Sequence, residues 1–346
     1  MHRTDSREYL NDHFLGRVRR AYVLGLEHRR AHTGKIWEGI RTLQQSVHDA
    51  LMDNDTAALR EIFRDPLRSD LYYGVDHACR SFADYPIGDD YDDVMMIHIK
   101  AVATALNIAI PENPETFLDA VDALLGRRVE LPPLAAIEAG INTSRGVLTY
   151  RALQAMYQAR RLLELAASTT ASVIEIGPGA GRTAFYAYCS GLNDYTTVDL
   201  PMGIVAQARY LAIALGPDRI WLPGDKFSNQ GRIKLLFDLP TRDFEIVLNV
   251  DSITEMPISV ALSYARWIGT HARQFLSINH ETNRFTSNEI TRAGIVCDHI
   301  ERHECLARPG YFEELFKIKR ARRTGRVALA RLQMSKCLKA FLPYNQ

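Results

Sequence analysis

Apolar residues recur at three- and four-residue intervals through much of the first 143 residues, and this spacing predicts amphipathic helices. The clearest stretches are Ile36–Leu51, Asp92–Leu106 and Pro114–Leu125. Asn113 before Pro114 is a good helix start, because Asn caps the first turn and Pro suits the first helical position. A further long helix is predicted over residues 144–167.

From Ala171 onward the pattern changes to short apolar runs separated by helical stretches. The predicted strands are Ser172–Ile176, Tyr195–Leu200, Arg219–Leu222, Phe244–Val250 and Gln274–Asn279, with a closing hairpin from Phe316–Ala321 and Arg326–Gln333. Alternating strands and helices favour a mostly parallel sheet covered on both faces. We therefore predict an α-helical N-terminal domain over residues 1–143 and an α/β domain over residues 144–346.

Composition restricts the function classes. The 346-residue chain is 47% hydrophobic and 24% charged, with a net charge of +1, so the whole molecule is no obvious polyanion binder. Five scattered cysteines predict reduced thiols rather than a disulfide framework. The polar first twenty residues and the absence of a long uncharged apolar run predict a cytoplasmic protein with no membrane partner.

A glycine-rich turn follows the first predicted strand of the α/β part. Gly177, Gly179 and Gly181 stand between that strand and a helix, where the missing Cβ lets a ligand approach the backbone. Nicotinamide enzymes use a different glycine spacing, with the pyrophosphate at the helix N-terminus. Glu175 precedes the turn by two residues, and a carboxylate there suits a cationic amino group better than a pyrophosphate.

Acidic residues at later strand ends extend this interpretation. Asp199 ends the second strand, where it can accept hydrogen bonds from both hydroxyls of a ribose, and Leu200 follows it. Asp225 follows the weak third strand and is predicted to face an adenine amino group, with a plain turn aspartate as the alternative. Asn249 ends the fourth strand beside the same site. The alternative for Glu175 and Asp199 is an ordinary strand-end acid and a helix cap.

These motifs resemble the class I S-adenosylmethionine-dependent methyltransferases and, more narrowly, a bacterial group of sugar O-methyltransferases. The match rests on the segments Glu175–Arg182, Val198–Pro201 and Asn249–Pro257 and covers roughly residue 140 to the C-terminus. The resemblance implies a Rossmann-like sheet of seven strands, S-adenosylmethionine as cofactor and a sugar-like small molecule as acceptor. The N-terminal helices would then cover the substrate mouth, and they are where a homodimer interface would form.

Methyl transfer to a hydroxyl needs an aligned nucleophile and a base. His280, at the end of the fifth predicted strand, is the first candidate for the base, and Asp251 is either the base or the carboxylate that orients His280. The alternatives are a loop-bound histidine and a helix cap. Candidate acceptor contacts are Tyr150, Ser252, Glu255 and Glu281.

The sequence offers two possible metal sites, but we favour a site without metal. Asp251 with Asn279, His280 or Glu281 would suit magnesium, although carboxylates beside substrate hydroxyls need no ion. The stretch Cys297–Cys305 contains zinc-type ligands at an unusual spacing, and a polar helix or loop is the alternative.

Nine Lys or Arg residues between Lys317 and Lys339 form a basic C-terminal stretch. A phosphate-bearing substrate or RNA would use it, but a solvated face is favoured because no aromatic residues are interleaved. The alternatives to a sugar O-methyltransferase are therefore methylation of another small metabolite at oxygen or nitrogen, RNA methylation, and an inactive cofactor-binding module.

Overall fold

A computed structural model describes residues 10–28, 35–67, 69–76, 91–136, 138–226, 231–295 and 297–319. Six helices form the N-terminal part of the described chain. They are α1 (Asp12–His28), α2 (Lys35–Leu43), α3 (Gln45–Met52), α4 (Thr56–Arg64), α5 (Tyr91–Ala105) and α6 (Pro114–Leu125). Asn113 caps α6 as predicted, because its side chain accepts a hydrogen bond from the Thr116 amide, and Gly126 ends the helix in the left-handed conformation.

A small hairpin precedes the long central helix α7 (Tyr150–Leu165). Its strands are β1 (Gly140–Thr143) and β2 (Gly146–Thr149), joined by a tight turn. The predicted helix over residues 144–167 is therefore too long at its start. Thr149 sets the true start, because its side chain accepts a hydrogen bond from the Ala152 amide.

The remaining strands and helices alternate along the chain. The strands are β3 (Ser172–Ile176), β4 (Asp194–Val198), β5 (Ile220–Trp221), β6 (Ile233–Leu236), β7 (Phe244–Val250), β8 (Ala272–His280), β9 (Cys297–Glu304) and β10 (Tyr311–Ile318). The helices are α8 (Arg182–Cys189), α9 (Pro201–Leu215), α10 (Ser252–Glu255), α11 (Ile258–His271) and α12 (Ser287–Gly294).

These strands form one sheet in the order β5-β6-β4-β3-β7-β8-β10-β9. The six strands from β3 to β8 pair in parallel, and β10 runs antiparallel to both β8 and β9. In the described residues the sheet has eight strands rather than the predicted seven. The additional strand arises because the segment predicted as the third strand is only the two-residue edge strand β5, while the unpredicted β6 pairs with β4.

The closing hairpin lies earlier in the chain than predicted. Cys297–Glu304 was expected to be a helix or loop, but it is the edge strand β9, and its partner β10 ends at Ile318. Its charged sequence suits an edge, where exposed apolar side chains would invite aggregation. The predicted strand Arg326–Gln333 lies outside the described residues.

One apolar core joins the N-terminal helices to the sheet. Its buried side chains include Val173 of β3 together with Phe14 and Leu15 of α1, Leu59 and Phe63 of α4 and Tyr210 of α9. The division at residue 143 stays a prediction, and the shared core means that the two parts are packed together. None of the described helices combines the length and apolar character needed to cross a bilayer.

Candidate functional site

A cavity of about 1090 Å³ opens at the carboxyl ends of β3, β4, β6 and β7. Ligands of open α/β sheets bind at this edge, because crossover loops diverge there. The N-terminal part of the chain closes one side, with Gly25, Trp37 and the 74–76 segment in the wall. Helix α7 forms another wall. The cavity thus combines strand ends from the sheet with cover from the N-terminal helices.

The glycine turn forms the floor of this cavity. Gly177, Gly179 and Gly181 have φ values of 66°, 59° and 87°, a region that other residues rarely adopt. A Cβ on Gly177 would lie 2.3 Å from the Ser252 Oγ, and one on Gly179 would lie 2.6 Å from the Val75 carbonyl oxygen. Both conformation and space therefore require glycine at positions 177 and 179.

Glu175 lies at the end of β3 in the cavity wall, only 2% exposed. Its Oε2 accepts a hydrogen bond of 2.8 Å from the Tyr195 hydroxyl. Burial raises the pKa of Glu175 to about 7, and the nearby Asp199 carboxylate adds to the increase. A cation bound in the cavity would stabilise the charged form of this carboxylate.

Asp199 stands at the end of β4, next in the sheet to β3. Its two oxygens accept hydrogen bonds from the Leu200 amide at 2.7 Å and the Gln207 side chain at 2.8 Å. Burial raises its pKa to about 7 as well. A Cβ at Gly203 would come within 2.6 Å of Asp199 Oδ2, so α9 approaches the carboxylate closely only because that residue is glycine. Asp199 and Leu200 both line the cavity, as the sequence predicts.

The end of β6 supplies cavity-lining residues that the sequence did not predict. Phe237, Asp238 and Leu239 follow β6 and line the cavity beside Asp199. Tyr264 of α11 lies across from them. Burial raises its pKa to about 12, and Asp199 and Asp238 contribute. The available signal was the short apolar run Leu235–Phe237 directly before Asp238.

Asp225, predicted to face an adenine amino group or to be a plain turn aspartate, does not line the cavity. Its carboxylate forms a 2.7 Å ion pair with Arg17 of α1 and accepts a hydrogen bond from the Leu222 amide. Because β5 lies at the sheet edge, the residue that follows it is carried away from the central strand ends.

Asn249 is also placed differently from its predicted role as a cofactor contact. It is fully buried, and its amide donates to the Ile176 carbonyl oxygen and to Ser252 Oγ. Its Oδ1 accepts from the Ile253 amide and from Asn279. Every polar atom is engaged in joining β3, β7 and β8, so Asn249 shapes the cavity from behind.

Asp251 has an unusual backbone for a residue with a side chain, with φ 65° and ψ −41°. It lines the cavity, and its Oδ2 lies 2.7 Å from Arg308 Nη1. Its Oδ1 is buried and has no hydrogen-bond partner among the described residues. Tyr311 lies against the same carboxylate, with a pKa raised to about 12, mainly by burial. A strained, incompletely bonded carboxylate at a strand end indicates a functional position.

Glu255 ends the short helix α10 and faces the cavity near Asp251. Burial raises its pKa, and the Asp251 carboxylate adds to the increase, while Arg151 and Arg308 oppose it. Ser252 also lines the cavity, but its hydroxyl donates to the Ile176 carbonyl oxygen at 3.0 Å. Glu255 is therefore the more available of these two side chains for a ligand.

Three predicted residues do not line this cavity. His280 has a 2.6 Å hydrogen bond to the Thr282 hydroxyl and packs edge-on against Tyr311. Glu281 forms a 2.8 Å ion pair with Arg302 of the terminal hairpin, and Tyr150 packs edge-on against His98. The antiparallel hairpin after β8 explains the first two, because it draws the end of that strand toward itself.

Acids dominate the charged residues of the cavity wall. Its two cations are Arg151 and Arg182, and its six acids are Asp76, Glu175, Asp199, Asp238, Asp251 and Glu255. Arg182 is itself paired with Asp76 at 3.0 Å and with Glu138. An excess of carboxylates in the wall favours a positively charged ligand.

The described residues contain no group of three or more His, Cys, Asp or Glu side chains arranged to hold a metal ion. The side chain of His299, part of the zinc hypothesis, lies outside the described part of the chain. Glu281, one of the possible magnesium ligands, instead forms an ion pair with Arg302.

No protein-family model and no curated protein matches this chain. Among solved structures, it is similar to magnesium protoporphyrin IX methyltransferase from Synechocystis, at 10% identity and a TM-score of 0.36 over 50% of this chain and 80% of that one. It is also similar to the CcbJ methyltransferase from Streptomyces caelestis, at 13% identity and a TM-score of 0.34 over 47% and 88% of the two chains.

Proposed function

We propose that this protein is an S-adenosylmethionine-dependent methyltransferase. The observation that carries the proposal is a pair of acids at adjacent strand ends beside a glycine turn, the buried Glu175 and the half-buried Asp199. A dinucleotide pyrophosphate would meet a carboxylate at Glu175, whereas a cationic amino group would be stabilised by it. The excess of acids around the cavity supports a cationic ligand in the same way.

The residues present fit this cofactor. Glu175 and the glycine turn would hold the amino-acid end, and Asp199 would accept hydrogen bonds from the ribose. Asp238, Leu239 and Tyr264 would surround the adenine, in place of Asp225. When bound, the cofactor supplies an electrophilic methyl group on a sulfonium.

The acceptor half of the cavity is the part around β7 and α10. Glu255 is the best candidate for the proton acceptor, because burial raises its pKa toward the range where a base is efficient near neutrality. Asp251 is held by Arg308 and borders the same space. Two carboxylates beside a bound hydroxyl can orient it through one and deprotonate it through the other.

A sugar or another polyhydroxylated small molecule suits this half of the site. Carboxylates, the Gln154 side chain and the serine-rich face of α11, with Ser259 and Ser263, offer many hydrogen-bonding groups. The cover formed by the N-terminal helices supports a small acceptor over RNA. Methylation of another small metabolite at oxygen or nitrogen uses the same residues and is the second candidate.

The test is formation of S-adenosylhomocysteine from S-adenosylmethionine with panels of sugars, phenols, amines and RNA. We expect turnover with a hydroxylated small molecule, abolished in Asp199→Asn. Turnover with RNA alone, weakening steeply with salt, would contradict the small-molecule acceptor. Cofactor binding without turnover on any panel would favour an inactive module.

A further inference from the structure

Arg151 is the one cavity-lining cation of the described residues that lacks a close carboxylate partner. It lies in the first turn of α7, and 31% of its side chain is exposed. Its Nε is buried with no hydrogen-bond partner among the described residues, and its Nη1 is 3.9 Å from Asp251 Oδ2. A guanidinium carries five donors, so this one retains capacity for a ligand.

The nearby Asp251 does not neutralise Arg151, because it already has a closer cation. Arg308 lies 2.7 Å from the same Oδ2 and is only 6% exposed. Glu255 is the other acid in this region, and burial raises its pKa. The acceptor half therefore keeps positive charge at Arg151, although the cavity as a whole is acidic.

Arg151 lies at the opposite end of the cavity-lining stretch of α7 from Gln158. Gln158, seven residues later on α7, accepts a hydrogen bond from Thr183, which in turn interacts with Glu175. Seven residues of α-helix span about 10 Å. Along α7, Gln158 is therefore the residue on the Glu175 side, and Arg151 is the residue beside Asp251.

We propose that Arg151 binds an anionic group, a carboxylate or a phosphate, on the acceptor. This inference rests on the proposed function and narrows its substrate class to hydroxylated acids or phosphorylated hydroxyl compounds. The planar guanidinium matches either anion through paired hydrogen bonds. With its anion held there, the acceptor would present a hydroxyl toward Glu255.

The experiment is a thermal-shift titration of the full chain with inorganic phosphate and with acetate at constant ionic strength. Phosphate also stabilises proteins nonspecifically, so the comparison between variants is the readout. Arg151→Gln removes the charge and Arg151→Lys keeps it. Arg273→Gln is the matched control, since Arg273 is exposed at the opposite, amino end of β8.

We expect saturable stabilisation by one anion in the wild type, Arg151→Lys and Arg273→Gln, with affinity about tenfold weaker or lost in Arg151→Gln. The preferred anion identifies the source, and turnover of glucuronate, glucose 6-phosphate and glucose should follow the same order. Equal responses in the wild type and Arg151→Gln would overturn the proposal.

The cofactor is measured separately, by titrating S-adenosylhomocysteine into the same variants. Unchanged affinity in Arg151→Gln is expected. A loss there would assign the guanidinium to the cofactor carboxylate and overturn the acceptor site. If the wild type fails to bind S-adenosylhomocysteine but shows an Arg151-dependent anion site, the proposed function falls while the anion site stands.

Discussion

Glu175, which we propose binds the cofactor, lowers the stability of the folded protein when its buried side chain is ionised. The folded-state pKa of about 7 lies above the ordinary 4.5, so the folded protein binds this proton more tightly than the unfolded chain. Its contribution to stability is therefore present below pH 4.5 and is lost as the pH rises to about 7.

Glu175→Gln should accordingly stabilise the cofactor-free protein at pH 8, by up to about 3 kcal/mol, because Gln carries no buried charge. Urea unfolding at pH 8 and pH 5 measures the difference, which should shrink at pH 5. Glu112→Gln, an exposed acid, is the control. A gain of the same size at both pH values would mean that ionisation is not the cause.

The carboxylate proposed as the proton acceptor gives a second prediction. Glu255→Gln should lower kcat by about 10²- to 10⁴-fold and leave S-adenosylhomocysteine affinity unchanged, because it removes only proton acceptance. His280→Ala should keep near-normal turnover, since His280 is bonded to Thr282 away from the cavity. Steady-state kinetics with calorimetry separates these outcomes. A reversed ranking would return the base to His280.

At the level of elements, the glycine turn packs directly against the start of α10. Gly177→Ala should destabilise the protein by about 1–3 kcal/mol, because the residue has φ 66° and its Cβ would collide with Ser252. The double variant Gly177→Ala with Ser252→Gly should recover the part due to the collision, measured by thermal unfolding. No recovery would show that backbone strain alone is responsible.

How well an element could be predicted depended on its length and burial. β7 has the predicted bounds, Phe244–Val250, because its continuous apolar run stands out. β6 has four residues, one of them Lys234, and such a segment is too short to show periodicity. Because β6 was not predicted, the cavity-lining acid Asp238 that follows it was overlooked, and Asp225 was named instead.

The residues of the site also differ in how well the sequence could predict them. Glu175 and Asp199 could be predicted because local spacing ties each to a strand end. Asp251 was identified, but its ion pair with Arg308 joins residues 57 positions apart and depends on the hairpin. Arg151 could not be predicted from local sequence either, because Asp251, the acid it lies near, is 100 positions later in the chain.

Across the whole molecule, buried charges join the N-terminal part to the sheet. Arg182 at the start of α8 pairs with Asp76 and Glu138, all with nearly buried side chains. Arg209 of α9 donates to the Phe63 and Leu134 carbonyl oxygens. These contacts and the shared core lead us to expect one cooperative unfolding transition.

Arg182→Met should lower the free energy of unfolding by about 3–5 kcal/mol, because it leaves two carboxylates buried without a cation. Differential scanning calorimetry measures the loss, with Arg64→Met, from an exposed pair with Glu61, as the control. Two separate transitions in the wild type would contradict the single packed unit, and an unchanged midpoint would contradict the role of Arg182.

Calorimetric titration of S-adenosylmethionine into the wild-type protein, Glu175→Gln and Asp199→Asn, with NAD as the competing nucleotide, decides which cofactor this cavity binds. We expect one binding event per chain for S-adenosylmethionine, affinity about tenfold or more weaker in each variant, and no binding of NAD. Binding of NAD, or S-adenosylmethionine affinity that neither substitution changes, would contradict the proposed function.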